Sequence, residues 1–197
     1  LEATMATPRS WTCAVLLDPT NIVICGGFND DNTELASCES LDLTTHTFSP
    51  FPDMLEPRFA HTGVHYNGTI VVLGRYYSKK TCEQFDPAVS KWTPFAPLNE
   101  GRRNDFGAAV VEGKIYAAGG AGGYVDSVEV YDGSAWSVVT KLPGSHSNGS
   151  AVCLGGKLVV LGGGSDDIDV YDPAINSWSP LPKMTEACRY YLAAVSF

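Results

Sequence analysis

Apolar residues along the chain occur in short runs that end at glycine. Four runs share one form: IVICGG (22–27), IVVLGR (70–75), IYAAGG (115–120) and LVVLGG (158–163). Gly, Pro, Asn and Asp lie between the runs, and no segment has the 3.6-residue apolar period of a helix. The third unit shows the pattern most clearly, and it predicts strands at 106–112, 114–118, 127–132 and 136–140. The chain is therefore predicted to be all-β.

Two further markers follow each run in the same order. The first is an acidic residue three positions before an aspartate, as in Glu129-Val130-Tyr131-Asp132, and the second is one large aromatic residue. The aromatic residues are 44, 44 and 42 positions apart, and the first glycines are 48, 45 and 43 apart. Four antiparallel strands every ~45 residues are typical of a propeller blade. One blade cannot bury both faces of its sheet, so neighbouring blades must stack.

These markers resemble the kelch repeat family, whose blades carry a Gly-Gly doublet, a Tyr-Asp pair and a spaced Trp. The resemblance covers essentially the whole chain and implies a kelch-type β-propeller with four complete four-stranded blades, at about 8–53, 57–98, 102–143 and 145–182. We expect the glycines and tryptophans to be structural, the former through positive φ and the latter through burial. They are Gly26, Gly27, Gly74, Gly119, Gly120, Gly162, Gly163, Trp92, Trp136 and Trp178. Three positions depart from the pattern: Arg75, Phe48 and Gly133.

Both ends of the chain resemble parts of further blades. Residues 1–10 align with 51–60 and 181–190, and residues 188–197 are predicted to be the first strand of a further blade. We therefore expect an arc of a five- to seven-bladed propeller, with flanking blades or domains missing from this segment. An intact four-bladed ring is the alternative.

Composition limits the partners and the compartment. The net charge of −9 disfavours binding to phosphate backbones, so no nucleic acid is expected. No apolar run approaches 18 residues, so no membrane span is expected. The six cysteines include no CxxC pair, which favours reduced thiols and a cytoplasmic location, with a nuclear location also open. No cofactor is expected.

Length variation indicates where a partner would bind. The distance from the first glycine to the acid of the third strand is 13, 9, 10 and 7 residues, so insertions concentrate in the loop between strands two and three. That loop and the four-to-one loop open on the same propeller face, which we call the loop face. The predicted partner-binding residues there are Tyr76, Tyr77, Arg102, Arg58, Arg103, Tyr124 and His146. An arginine that recurs at each blade start also fits another role, which is to hold the four-to-one turn.

The predicted function is a non-catalytic scaffold that binds a protein or peptide. His61 and His65 are too far apart on one strand, ~13 Å, to share a metal ion, and no catalytic or metal-ligating set is expected. The resemblance to kelch-like adaptors implies a substrate-recognition role in a cullin-type ubiquitin ligase. The alternative is a kelch-fold enzyme, either a copper radical oxidase or a small-molecule isomerase or lyase.

Overall fold

The chain folds into four antiparallel sheets of four strands each in a computed structural model, which describes residues 4–76, 79–101, 106–120, 126–144 and 146–185. Blade one contains β1 (Cys13–Asp18), β2 (Asn21–Cys25), β3 (Cys38–Asp42) and β4 (Thr47–Phe51). Blade two contains β5 (Thr62–Tyr66), β6 (Thr69–Arg75), β7 (Lys79–Asp86) and β8 (Lys91–Phe95). Blade three contains β9 (Gly107–Val111), β10 (Lys114–Ala118), β11 (Ser127–Tyr131) and β12 (Trp136–Lys141). Blade four contains β13 (Ser150–Leu154), β14 (Lys157–Leu161), β15 (Ile168–Asp172) and β16 (Ser177–Pro180).

Strand order within every sheet follows the chain, and the first strands contact one another in series. β1 contacts β5, β5 contacts β9, and β9 contacts β13. This arrangement is a propeller, so the predicted all-β kelch-type fold with four four-stranded blades is confirmed. The predicted first strand of a further blade, at residues 188–197, lies outside the described residues. Within the described ranges, no helix has the length and apolar character needed to cross a membrane.

The central residues of the second strands are apolar, and β6, which lies between two blades, shows why. In β6, Ile70 and Val72 pack against blade one, whereas Val71 and Leu73 pack against blade three. All four side chains are fully buried. Successive side chains of a strand point to opposite faces, so a strand between two blades needs an apolar residue at every position. This constraint explains the four apolar runs of the sequence.

The glycines that follow these runs adopt the left-handed region. Gly26, Gly74, Gly119 and Gly162 have φ between 61° and 73°, and Gly27, Gly120 and Gly163 have larger positive values. A Cβ on Gly27 would lie 2.6 Å from the carbonyl oxygen of Ser10, so a side chain does not fit there.

Blade two differs from the sequence prediction at its second glycine position. Gly74 was expected to follow the second strand, but β6 continues through it to Arg75, which pairs with Lys79 of β7. The register shifts between Leu73 and Arg75, and Arg75 does not enter the left-handed region. Because the chain needs no positive φ there, an arginine replaces the glycine. Consequently, only positions 76–78 separate β6 from β7.

The recurring tryptophans pack back onto the preceding blade. The indole N–H of Trp92 donates to the carbonyl oxygen of Pro52 at 2.8 Å, and that of Trp136 donates to Ala96 at 2.9 Å. Both side chains are buried, but Trp178 is only half-buried. Each indole also contacts the aromatic residue of its own third strand, with ring centroids 5.4 Å apart for Trp92 and Phe85, 5.5 Å for Trp136 and Tyr131, and 5.2 Å for Trp178 and Tyr171. Trp178 is therefore placed like the other two but is less buried than expected.

The aspartates after the third strands close the following turns. Asp42 accepts from the backbone N–H groups of Thr44 and Thr45, at 2.7 and 2.9 Å, and Asp86 accepts from Ala88 at 2.8 Å. In blade three, backbone donation from Ala135 and hydrogen bonds from Ser134 lower the pKa of Asp132 to about 2. This is the turn-capping role that a short carboxylate performs well.

Replacement of Trp136 by alanine should lower the free energy of unfolding by about 3–5 kcal/mol, because it removes a buried indole and leaves a cavity. Val138→Ala, an exposed position two residues along the same strand, should change it by less than about 0.5 kcal/mol. Urea denaturation measures both variants. A loss below about 1 kcal/mol for Trp136→Ala would show that the indole does not support the blade contact.

Candidate functional site

A buried arginine at the start of blade two joins the loop face to the blade interior. Arg58 is 0% exposed. Its guanidinium donates to the carbonyl oxygens of Gly74 and Thr81 at 2.8 Å each and to the Thr81 hydroxyl at 3.2 Å. It also donates twice to Glu83, at 2.8 and 3.0 Å. These five hydrogen bonds equal the five N–H donors of a guanidinium.

The carboxylate of this pair holds the incoming backbone. Glu83 accepts from the N–H groups of Leu55 and Glu56, at 2.6 and 3.1 Å. The backbone of Arg58 meanwhile contacts blade one, since its N–H donates to Leu35 and its carbonyl accepts from Gly27, at 3.0 and 2.7 Å. The connection between the two blades is thus bound to both of them.

The same arrangement recurs in blade one. Arg9 donates to the carbonyl oxygens of Gly26 and Ser37 at 2.8 Å each, and it forms a 2.7 Å ion pair with Glu39. Glu39 also accepts from the N–H groups of Ala6 and Thr7. Burial of Glu39 by itself would raise its pKa, but the hydrogen bonds from Arg9 and the two backbone groups outweigh it and lower the pKa.

Blade four has a shorter version of the pair. His146 is buried, and its Nε2 lies 2.8 Å from Asp169 while its Nδ1 lies 3.0 Å from the carbonyl oxygen of Gly162. A carboxylate and a carbonyl both accept hydrogen bonds, so each ring nitrogen of His146 faces an acceptor. In blade three the carboxylate is Glu129, which is fully buried and accepts from the N–H groups of Asn99 and Glu100.

Two residues after each of these cations the backbone enters the left-handed region. The residues are Trp11 (φ 56°), Ala60 (φ 52°) and Asn148 (φ 63°). Asparagine tolerates this conformation, whereas tryptophan rarely adopts it. Strain of this kind clusters at functional surfaces, so Trp11 and Ala60 draw attention to the loop face of blades one and two.

Four aromatic side chains lie together on that face, and we call them the aromatic patch: Trp11, Phe28, Phe59 and Tyr76. Phe59 is central, with ring centroids 4.7 Å from Tyr76, 5.0 Å from Phe28 and 6.2 Å from Trp11. Trp11 is 45% exposed and the other three are half-buried. The backbone aligns them because the Phe59 carbonyl accepts from Tyr76, as Ser10 pairs with Phe28 in blade one.

Charged residues border the aromatic patch. Arg75 forms ion pairs with Glu34 at 2.9 Å and with Glu56 at 3.5 Å, which joins the long loop of blade one to blade two. Asp30 and Asp31 are exposed at the tip of that loop. An apolar centre with a charged rim is the usual composition of a protein-binding surface.

Comparison with known proteins identifies the repeat. A family model described as Kelch motif matches residues 12–55, 102–143 and 145–185. The chain belongs to the kelch-repeat family. The matched ranges pass over blade two, the blade in which Arg75 stands at the second glycine position.

Individual kelch relatives are similar over most of this chain. Kelch-like protein 23 from Homo sapiens is 30% identical over 84% of this chain and 32% of its own length. Kelch-like protein 25 from Xenopus tropicalis is 26% identical over 93% of this chain and 34% of its own length. Spermatocyte protein spe-26 from Caenorhabditis elegans is 32% identical over 69% of this chain and 27% of its own length. The chain thus spans about a third of these relatives or less.

The kelch structure separates the residues that were predicted to bind a partner. Tyr76 lies in the aromatic patch, and its role in binding stays a prediction. Arg58 and His146 are buried and bonded inside their blades, so their assignment to the binding surface is corrected. The other role considered for recurrent arginines, to hold the turn, accounts for the contacts of Arg58. Four predicted residues lie outside the described residues: Tyr77, Arg102, Arg103 and Tyr124.

Three residues of the patch, Trp11, Phe28 and Phe59, were not predicted as binding residues. Trp11 and Phe59 each follow a recurrent arginine by one or two positions, which is the signal that points to the loop face. The acidic partners Glu39 and Glu83 were also missed, although the sequence contains a clue. In the fourth unit both residues have shorter side chains. His146 stands at the position of the arginine, and Asp169 stands at the position of the glutamate.

Arg58→Lys should lower the free energy of unfolding by at least about 2 kcal/mol, because an ammonium group cannot make the five fork-shaped contacts of a guanidinium. The matched control is Lys141→Ala, which removes an exposed ion pair with Asp126 and should cost less than about 1 kcal/mol. Urea denaturation of both variants gives the comparison. Equal, small losses would contradict a stabilising role for the buried contacts.

Proposed function

We propose that this kelch chain is a non-catalytic scaffold that binds a protein or peptide through the loop face of blades one and two. The observation that carries the proposal is the aromatic patch, in which Trp11 stays 45% exposed on a strained backbone. Tyrosine and tryptophan dominate the binding energy of protein interfaces because they bury a large, rigid area at low entropic cost.

Charge supports a protein partner over nucleic acid. The chain carries a net charge of −9, and the loop beside the aromatic patch ends in the exposed pair Asp30 and Asp31. Phosphate recognition requires a continuous positive surface. A partner that presents apolar side chains with basic residues beside them complements this face better.

We further propose that the chain is the substrate-recognition part of a cullin-type ubiquitin ligase adaptor that acts in the cytoplasm. Its support is the similarity to kelch-like proteins, of which this chain covers about a third. In such an adaptor the propeller supplies the partner contact, and other parts of the full-length protein supply the contact to the ligase.

Affinity capture with the full-length protein tests both proposals in one experiment. Trp11→Ala combined with Tyr76→Ala should reduce the affinity for a captured partner at least about thirtyfold, the value expected when an interface loses its hot spots. The amount of bound cullin should not change, because the patch variants leave the ligase contact intact. Quantitative mass spectrometry measures both, and Tyr77→Ala and Arg102→Ala test the predicted residues outside the described ranges.

The control is a pair of variants on the opposite face. Val89 and Ile175 are 66% and 70% exposed at the turns between third and fourth strands. Val89→Ser with Ile175→Ser should leave partner capture unchanged. If the Val89→Ser, Ile175→Ser protein lost the captured partner while the patch variants kept it, the proposal that the loop face binds the partner would be wrong. Partner capture without cullin would overturn the adaptor role alone.

A further inference from the structure

Three cysteines form a row across blade one, directly beneath its glycine pair. Cys13 of β1 is opposite Cys25 of β2, and Cys25 is opposite Cys38 of β3. Opposite residues of antiparallel strands point to the same side of the sheet, so the three side chains lie next to one another. All three are free thiols. Cys25 and Cys38 are 0% and 3% exposed, whereas Cys13 keeps 9% of its surface accessible.

A histidine from blade two completes the group. The Cys13 sulfur lies 3.1 Å from Nε2 of His61, and both side chains are buried. The other ring nitrogen, Nδ1, is buried and has no hydrogen-bond partner among the described residues. Such a nitrogen is uncommon in a protein interior and marks a place for a small polar molecule. Gly26 packs closely against this group, since a Cβ there would lie 2.4 Å from the Arg58 carbonyl oxygen and 3.1 Å from Cε1 of His61.

The environment distinguishes Cys13 from the other cysteines. A hydrogen bond from Cys25 lowers the pKa of the Cys13 thiol well below its usual value; burial opposes the change, and the nearby His61 and Arg58 reinforce it. Hydrogen bonds with Cys13 and Cys38 raise the pKa of Cys25, which therefore keeps its proton. Burial raises the pKa of Cys82, the equivalent of Cys38 in blade two, to about 11. The pKa values of Cys13 and Cys25 are thus shifted in opposite directions although the two thiols lie side by side.

We propose that Cys13 is a modification site: a hydroperoxide oxidises its thiol, and the resulting sulfenic acid condenses with Cys25 to form a cross-strand disulfide. Opposite residues of antiparallel strands have Cα atoms about 4.5–5.5 Å apart, within the range that a disulfide spans. Cys13 is the attacking group because it alone of the three contacts an imidazole, and Cys25 is the resolving thiol because it is opposite Cys13.

The two steps balance. The Cys13 thiol passes its proton to the adjacent His61, the sulfur attacks the peroxide, an S–O bond forms and the O–O bond breaks. The leaving oxygen takes that proton back from His61 and departs as water. The Cys25 sulfur then attacks the sulfenic acid, an S–S bond forms, the S–O bond breaks, and water leaves with the Cys25 proton. The peroxide gains the two electrons that the two thiols lose. This inference does not depend on the proposed function.

Peroxide oxidation of the reduced chain tests the proposal. The chain carries Cys188→Ser, which removes the one cysteine outside the described residues. One equivalent of hydrogen peroxide is added at neutral pH, and a sulfenic acid probe and peptide mass spectrometry follow each thiol. The expected product is a Cys13–Cys25 disulfide, formed before Cys82 or the half-buried Cys153 reacts. Cys25→Ser should instead trap the probe on Cys13. Earlier reaction at Cys153 or Cys82 would overturn the proposal, whatever the result with Cys25→Ser.

The role of His61 is measured in the same assay. His61→Gln should slow the oxidation of Cys13 at least about tenfold, because Cys13 loses the imidazole that accepts and returns its proton, and it should leave the reaction rate of Cys153 unchanged. Circular dichroism and the Cys153 rate verify that the variant is folded. An unchanged Cys13 rate in folded His61→Gln would contradict the proposal. An oxidation rate of Cys13 in the parent chain that equals the rate of global unfolding would also contradict it, because Cys13 would then react only in the unfolded chain.

Discussion

The buried pair between a cation at the blade start and a carboxylate on the third strand is the interaction on which the rest of the structure depends. Arg58 and Glu83 lie in the interior, where an unpaired charge would be strongly destabilising. The pair is tolerated because the arginine has a partner for every N–H group and the carboxylate has two backbone donors. Its geometry therefore allows one path for the connection between blades, and this path determines the shape of the loop face.

The aromatic patch is a consequence of that path. The carbonyl of Arg58 is bound to blade one through Gly27, and the next residue, Phe59, is bound to blade two through Tyr76. Phe59 is thus held between the loops of two blades, where it meets Phe28 and Tyr76. The left-handed conformations of Trp11 and Ala60 are maintained by the same contacts, since the N–H of Ala60 donates to the carbonyl of Trp11 at 2.8 Å. The buried pairs thus help to hold the backbone of Trp11 and Ala60 in its left-handed conformation on the loop face.

The blades could be predicted from the sequence because their causes are local. A strand covered on both faces must be apolar at every position, as Ile70 to Leu73 are, and a left-handed turn requires glycine, as at Gly27. The partnership of Arg58 with Glu83 joins residues 25 positions apart, and no local rule connects them. The aromatic patch needs the packing of two blades. The positions of Trp11 and Phe59 after recurrent arginines point to the loop face, but they do not show that the two side chains meet there. Arg75 shows the opposite case: a departure from the repeat pattern correctly marked an altered turn.

A double-mutant cycle on Arg58 and Glu83 tests most directly whether the buried pair organises the fold. Arg58→Met and Glu83→Met are made singly and together, and urea denaturation gives the free energy of unfolding of each protein. Each single variant should lose about 3–5 kcal/mol, because each leaves an uncompensated buried charge. The double variant should lose less than the sum of the two, with a coupling energy of about 1–3 kcal/mol. Strictly additive losses would show that the two residues act independently and would contradict this account.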